Sequence, residues 1–464
     1  MLTRRPFLFL LILLPFCLAA AELIFPGQVE AAPGRAPAVE WAFSPGKGEA
    51  RCVAQTGDGG YVCTGWIESR EGGSDVFLAR MDRKGNRLWQ KVFKGNGYSC
   101  GYCVEEVRGG GFIIVGDTKS KNGYDHDVYV VRTDERGEPL WERNFGGRYC
   151  DYAWSVQQTE DGGFILAGGT ESFGAGIYDV YLIKLDSSGK KLWEKTYGGK
   201  GSDCGYAVLE MGDGGYLIAG NAESFGNGNP DVYLLRTDGN GQVIWQKTYG
   251  GKGSDYGWSL APSRDGGYVI AGEKEITGGQ GGILAPYLVR VDPDGNLLWE
   301  KTYGGQNAGS AYAVRKTGDG GYILAGKKES AGGGYDIWVV KTDKNGDPVW
   351  EKTIAGAGCN SGYSIQQSKD GGYVVAGRKG MEKGAGSEIL LLKLEGTGTL
   401  NTPLLLFTGA GAAIAGLALL FTLKRRGAKQ GIKNLQGSRN FEFNGEQHYK
   451  INGRQKSPGF LGTI

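Results

Sequence analysis

Two histidines, His126 and His448, are all that this chain of 464 residues offers to the commonest catalytic and metal chemistries. They cannot build a triad or a His cluster, so no catalytic constellation, metal site or cofactor is expected. Carboxylates are the next candidates. Asp151, Asp203 and Asp255 recur at a step of 52 residues, each three positions before an aromatic; Ser99, Gly309 and Asn360 take the equivalent place elsewhere. Three carboxylates along one rim are able to hold Ca²⁺ or to accept sugar hydroxyls. A carboxylate pair on such a rim is also the machinery of a polysaccharide-acting enzyme. The competing reading is an Asx-type turn that caps a connecting loop. That reading is favoured, because carboxylates on separate units sit too far apart for one ion.

The aromatics form a second series: Tyr102, Trp154, Tyr206, Trp258, Tyr312 and Tyr363, with Arg51 in the seventh place. Lining an opening, they would stack on sugars or other planar-faced ligands. Repetition at every unit favours a role in packing between neighbours instead. Without Cys17 there are seven cysteines, an odd number that leaves at least one unpaired or paired between chains. Cys100-Gly-Tyr-Cys103 has redox spacing, but it straddles the start of a strand and lacks the helix N-terminus that activates such a thiol. Cys52 and Cys63 flank one hairpin turn and are placed to bridge across it. Asp292-Pro293-Asp294-Gly295 opens like a calcium loop, yet it falls on a hairpin that other units build without the second Asp.

All of these residues ride on a repeated unit. A Gly-Gly-aromatic element ends at Tyr61, Phe112, Phe164, Tyr216, Tyr268, Tyr322 and Tyr373, at steps of 51, 52, 52, 52, 54 and 51. Trp41, Trp89, Trp141, Trp193, Trp245, Trp299 and Trp350 keep the same pace. Glycine makes up 85 residues, and it punctuates short β-rich segments with tight turns. Each unit resolves into four antiparallel strands, which at this period is the pattern of a β-propeller. The array opens on a fourth-strand Trp at 41 and closes on a third strand ending at Leu394. Residues 39–44 are therefore expected to complete the last blade and close a seven-bladed ring without free edges. The Asp-Gly-Gly and Asp-x-x-Gly turns fall on one face. The longer, more variable loops, including residues 273–286, fall on the other, which is the better binding face. Aspartates opening the third strands (Asp75, Asp127, Asp179, Asp231, Asp336) and the tight turns (Asp82, Asp134, Asp186, Asp238, Asp292, Asp343) are expected to bond turn amides.

The unit Leu192-Trp193-Glu194-Lys195-Thr196-Tyr197-Gly198-Gly199 is followed by Gly-Ser-Asp, Asp-Gly-Gly-Tyr and Asp-Val-Tyr-Leu elements. Together they resemble the repeat of uncharacterised surface propellers of bacteria and archaea, and more distantly the Trp-bearing repeats of quinoprotein-like propellers. The resemblance covers residues 39–395 and implies the fold. It implies no activity, since function on a propeller resides in its loops. The chain shows no adjacent-cysteine pair or cofactor-binding set, and the ring is one blade short of the usual quinoprotein enzyme.

The ends read differently. Arg4 and Arg5 precede an apolar run over 7–21 and then small residues, the pattern of a signal peptide within 1–32. The propeller is assigned to 33–399 and a transmembrane helix to 400–423, where residues 404–423 carry no charge and are long enough to span a bilayer. Lys424, Arg425 and Arg426 follow, which keeps the 424–464 tail cytoplasmic. That tail carries a net charge of +7 and is expected to lie disordered against anionic headgroups. Gly409, Ala413 and Gly416 allow close helix packing. The near-neutral whole, at +2, gives no reason to expect a nucleic-acid partner. The expected function is a membrane-anchored extracellular binding or adhesion module for a glycan, a cell-wall component or a surface protein. The rival readings are a polysaccharide-acting enzyme using rim carboxylates and a purely structural spacer.

Overall fold

The computed structural model describes residues 36–120, 125–226, 228–276, 282–305, 307–381 and 386–396. The signal peptide (1–32), the transmembrane helix (400–423) and the basic tail (424–464) lie outside the described residues, as do residues 277–281 of the longest loop. Among the described residues no helix is long and apolar enough to cross a membrane.

The repeat folds into 28 strands, numbered in chain order from β1 (Val39–Phe43) to β28 (Ser387–Leu394). They form seven four-stranded sheets, each an antiparallel meander. Blades I to VI span 48–93, 99–145, 151–197, 203–249, 255–302 and 309–354. Blade VII takes three strands from 361–394 and its fourth from the chain's beginning: Val39 pairs with Leu394 and Phe43 with Leu391. The four strands per unit match the sequence reading, and the first strand of each blade begins three residues before the repeated aromatic or Arg51, or two before it in blade VII. In blade IV that strand is Asp203–Glu210.

Why these segments form a ring follows from where their apolar side chains go. There are seven buried clusters, and each is shared by two neighbouring blades. The two sequence markers meet at these joints. Trp41 of blade VII lies 5.7 Å from Tyr61 of blade I, Trp89 lies 5.9 Å from Phe112, and Trp193 lies 5.9 Å from Tyr216. The Trp also fixes a glycine of the next blade. Gly137 has φ +77°, and a Cβ there would come within 2.7 Å of the Trp89 ring. Positive φ and close approach together leave glycine as the only fit.

The tight-turn face is locked internally. A buried third-strand base clamps the aspartate of the first turn in six blades, as in Arg80–Asp58, Lys184–Asp161 and Arg236–Asp213. The aspartates of the second turns accept two backbone amides each, as Asp238 does from Asn240 and Gln242. These carboxylates are structural, as expected.

Closure makes a prediction. Trp41→Ala removes the half-buried ring that ties blade VII to Tyr61, and it should cost about 2–3 kcal/mol in chemical denaturation. Deleting residues 36–44 should expose the β28 edge and produce concentration-dependent self-association in size-exclusion chromatography. A shortened chain that stays monomeric and equally stable would show that closure does not hold the ring.

Candidate functional site

Every first strand carries a β-bulge, and the bulged residue is the one that the repeat singles out: Arg51, Tyr102, Trp154, Tyr206, Trp258, Tyr312 and Tyr363. A bulge leaves one residue outside the ladder and breaks the alternation of faces. These seven side chains are half-buried and belong to none of the seven cores. Six of them, from Trp154 round to Arg51, pack on one another instead. Ring centroids are 4.6 Å apart for Trp154–Tyr206 and Tyr206–Trp258, 6.3 Å for Trp258–Tyr312 and 5.5 Å for Tyr312–Tyr363. The Arg51 guanidinium lies 4.2 Å from the Tyr363 centroid. The expectation of packing between blades is corrected in one respect: the rings do cross from blade to blade, but as a collar of first strands rather than in the blade cores.

Two residues before each bulge, and directly opposite on the second strand, lies a pair that differs in every blade. The seven pairs are Glu49–Trp66, Cys100–Asp117, Tyr152–Gly169, Cys204–Asn221, Tyr256–Glu273, Ser310–Lys327 and Ser361–Arg378. Several of their side chains touch the collar. Tyr152 stacks on Trp154 at 5.5 Å, and Tyr256 stacks on Trp258 at 5.5 Å. Lys327 Nζ sits 5.5 Å from the Tyr312 ring. A Cβ at Gly169 would press on the Trp154 indole at 3.1 Å, so that indole requires the glycine. Glu49 meets Arg51 at 2.5 Å and Arg378 at 2.9 Å. This mouth was missed in the sequence. Its signal is the lack of repetition at two fixed places in an otherwise regular unit.

Among the described residues, eight buried side-chain polar atoms make no hydrogen bond within the chain. Six of them belong to the mouth: Glu49 Oε2, which is held instead by its ion pair with Arg51, and the unpaired Arg51 Nε, Asp117 Oδ1, Asn221 Oδ1, Trp258 Nε1 and Arg378 Nε. Buried polar atoms are paired in the great majority of cases, so such a concentration marks a place that awaits a partner. A cavity of about 530 Å³ opens over blades VII, I and II and is lined by Arg51, Trp66, Tyr98, Tyr102, Asp117 and His126, among others. His126 Nδ1 lies 2.5 Å from Asp117 Oδ2. The Asp117 hydrogen bond raises the imidazole pKa, against the opposing effect of burial.

The three aspartates are placed otherwise than a ligand-binding rim requires. Asp151 and Asp203 are 0% exposed and Asp255 is 1% exposed. Asp151 accepts hydrogen bonds from Gly147 N (2.8 Å) and the Ser172 and Thr170 hydroxyls. Asp203 accepts them from Gly199 N (2.9 Å) and from Ser224 through both backbone and hydroxyl. Asp255 accepts from Gly251 N (2.7 Å) and Glu275 N (3.1 Å). These carboxylates cap the loops between blades, so neither an ion nor a sugar reaches them. Among the described residues Asp255 has no hydroxyl partner, since Ile276 stands where Ser172 and Ser224 stand, and burial raises its carboxyl to about 6. Among the described residues no group of three or more His, Cys, Asp or Glu side chains is placed to hold a metal ion.

The cysteines are also corrected. All seven are free. Cys63 packs in the joint between blades VII and I, and Cys52 packs in the joint between I and II. They therefore point to opposite faces of one sheet and cannot bridge. Just below the collar, Cys52 and Cys103 belong to a layer that stitches first strands together. Cys52 Sγ donates to Val104 O (3.8 Å) and Cys103 Sγ to Val156 O (3.9 Å), while Ser155, Ser259 and Ser364 accept backbone amides from the next blade.

The collar on a ring of seven four-stranded sheets defines an all-β, seven-bladed β-propeller. Comparison with solved structures agrees on the fold in one case, the first of the three that follow. The Neurospora crassa Pan2 WD40 domain is 14% identical at a TM-score of 0.50, over 79% of this chain and 97% of that one. YCF48 bound to a D1 peptide is 12% identical at 0.46, over 78% and 98%. BBS1N in complex with ARL6DN is 11% identical at 0.45, over 78% and 97%. At these identities the likeness concerns the fold alone. No family model matches the chain, and no curated protein matches it in sequence.

The His126–Asp117 pair is directly testable, because the chain has two histidines. In an NMR titration His126 should titrate above the ordinary value of about 6.5, and Asp117→Asn should bring it back down. A pKa raised in the folded state stabilises the fold below about pH 6.5, and that contribution is lost as pH rises through the raised value. A wild-type His126 that titrates at or below the ordinary value would refute the pairing.

Proposed function

We propose that the protein is a membrane-anchored binding module that takes its ligand at the mouth of the propeller, on the extracellular side. The observation that carries this is the coincidence of two patterns. Seven unlike pairs surround a collar that repeats, and among the described residues walls and collar together hold five buried polar atoms with neither a hydrogen bond nor an ion pair. A purely structural ring would gain nothing from seven different pairs, and unpaired polar atoms cost about 1–3 kcal/mol each. The mouth combines aromatic faces, amide and hydroxyl groups and charges of both signs, which suits a glycan. The anchoring half of the reading is supported by the sequence ends: Arg4-Arg5 before an apolar run, and the uncharged 404–423 before Lys424-Arg425-Arg426. The enzymatic alternative loses its proposed carboxylates, because Asp151, Asp203 and Asp255 are buried under loops.

The full-length protein in detergent should retain a restricted set of oligosaccharides on a glycan array. Tyr152→Ala and Tyr256→Ala should each weaken that binding about tenfold, the loss of one stacking contact. A blank array, or variants that bind as the parent does, would refute the ligand site. For the topology, Cys359 is the one exposed cysteine among the described residues. A membrane-impermeant maleimide should label it on intact cells, and Cys359→Ser should abolish the signal. Labelling that appears only after lysis would overturn the extracellular assignment.

A further inference from the structure

Arg51 is the one charged residue in the collar, and its neighbours form a cluster of their own. Glu49, 4% exposed, faces two guanidiniums at once: Arg51 Nη2 at 2.5 Å through Oε2, and Arg378 Nη1 at 2.9 Å through Oε1. One buried carboxylate between two arginines leaves a net positive charge at the joint of blades VII and I. The Nε atoms of both arginines are buried and have no hydrogen-bond acceptor. In blade VI the Lys327 ammonium sits 4.6 Å from the Tyr335 ring and 5.5 Å from the Tyr312 ring. Three cations from successive blades thus flank the aromatic collar, with the carboxylates of Glu49, Glu273 and Asp117 distributed around the same mouth. Arg51 also lines the 530 Å³ cavity beside Trp66 and Tyr102. The Arg51 and Arg378 side chains stay 30% and 32% exposed, so the charge that Glu49 leaves uncompensated is open to an anion from solvent. A guanidinium fork matches a carboxylate in plane and spacing, and the adjoining rings offer flat faces to a sugar.

We infer that Arg51 and Arg378 form a carboxylate subsite and that the ligand is an acidic glycan containing uronic acid units. This rests on the binding reading above and deepens it. Arg51 holds the carboxylate, Tyr363 keeps the Arg51 guanidinium flat, and Glu49 keeps the two arginines side by side.

The test compares two ligands that share every sugar ring and differ at the carboxyl, ionised in one and capped as a neutral methyl ester in the other: hexagalacturonate and its fully methyl-esterified form, each titrated calorimetrically into the full-length protein. The acidic form should bind at least about tenfold more tightly, the scale of one charge-assisted hydrogen bond. Arg51→Tyr installs the residue that four other blades carry at this position, so the collar should still form. It should bring the two affinities together while the melting temperature moves little. Arg378→Gln should narrow the preference as well. Equal binding of the two forms, or a preference that survives Arg51→Tyr, overturns the carboxylate subsite and leaves the binding mouth standing. The subsite also falls if neither form binds. In that case retention of a neutral glycan or a peptide through Tyr152 and Tyr256 keeps the wider reading, and a blank array removes both.

Discussion

No blade of this protein has a core of its own. Each sheet gives one apolar face to the blade before it and the other to the blade after it, so all seven cores are joints. A row of such sheets would end in two exposed faces. Only a ring removes both, and the ring fixes the number of blades, the placing of the outer Trp on the next blade's aromatic and the inward position of every first strand. The glycines that look like generic turn residues answer to the same constraint. Gly137 is small because the Trp89 ring of the preceding blade lies against it. The regularity of the sequence is the regularity of these joints.

Against that background the mouth stands apart. Its floor is regular: a bulge in each first strand and an aromatic or arginine at the bulge. Its walls are not regular, and no two of the seven pairs are alike. Joints need sameness and recognition needs difference, so the two requirements have been separated by a few ångströms along the same strands. The pairs come at the outer ends of the first and second strands, where the side chains no longer contribute to the cores but still touch the collar.

Most of the fold was legible in the sequence, because it is written in periodic marks. Trp41 at the beginning and Leu394 at the end sufficed to assign the N-terminal strand to the last blade. The site was less legible for two physical reasons. First, a bulge has no mark of its own. Tyr206 follows Gly205 in an apparently ordinary strand, and nothing in the letters says that it leaves the ladder there. Second, cross-strand pairing cannot be seen along a single line of residues. Cys204 and Asn221, or Ser361 and Arg378, become partners only when the register is known. Asp151, Asp203 and Asp255 are the loop caps that the favoured reading of their recurrence suggests, and a loop cap is buried. Arg51 was legible as a departure, although its bond to Glu49 and through it to Arg378 was not.

The borrowed strand of blade VII has a consequence in time. Val39 is among the first propeller residues to be synthesised and its partner Leu394 among the last, with the whole ring between them. At ordinary translation rates that interval is on the order of half a minute. Throughout it β1 is an orphan strand beside six finished blades, each of which could offer it a wrong edge. Its shortness, at five residues, and its Glu40, placed where the other outer strands carry Leu, Ile or Val, make it a poor partner for anything but β28, whose Lys393 receives that glutamate. The clasp is therefore also a clock: the molecule cannot finish folding until the last blade has been made.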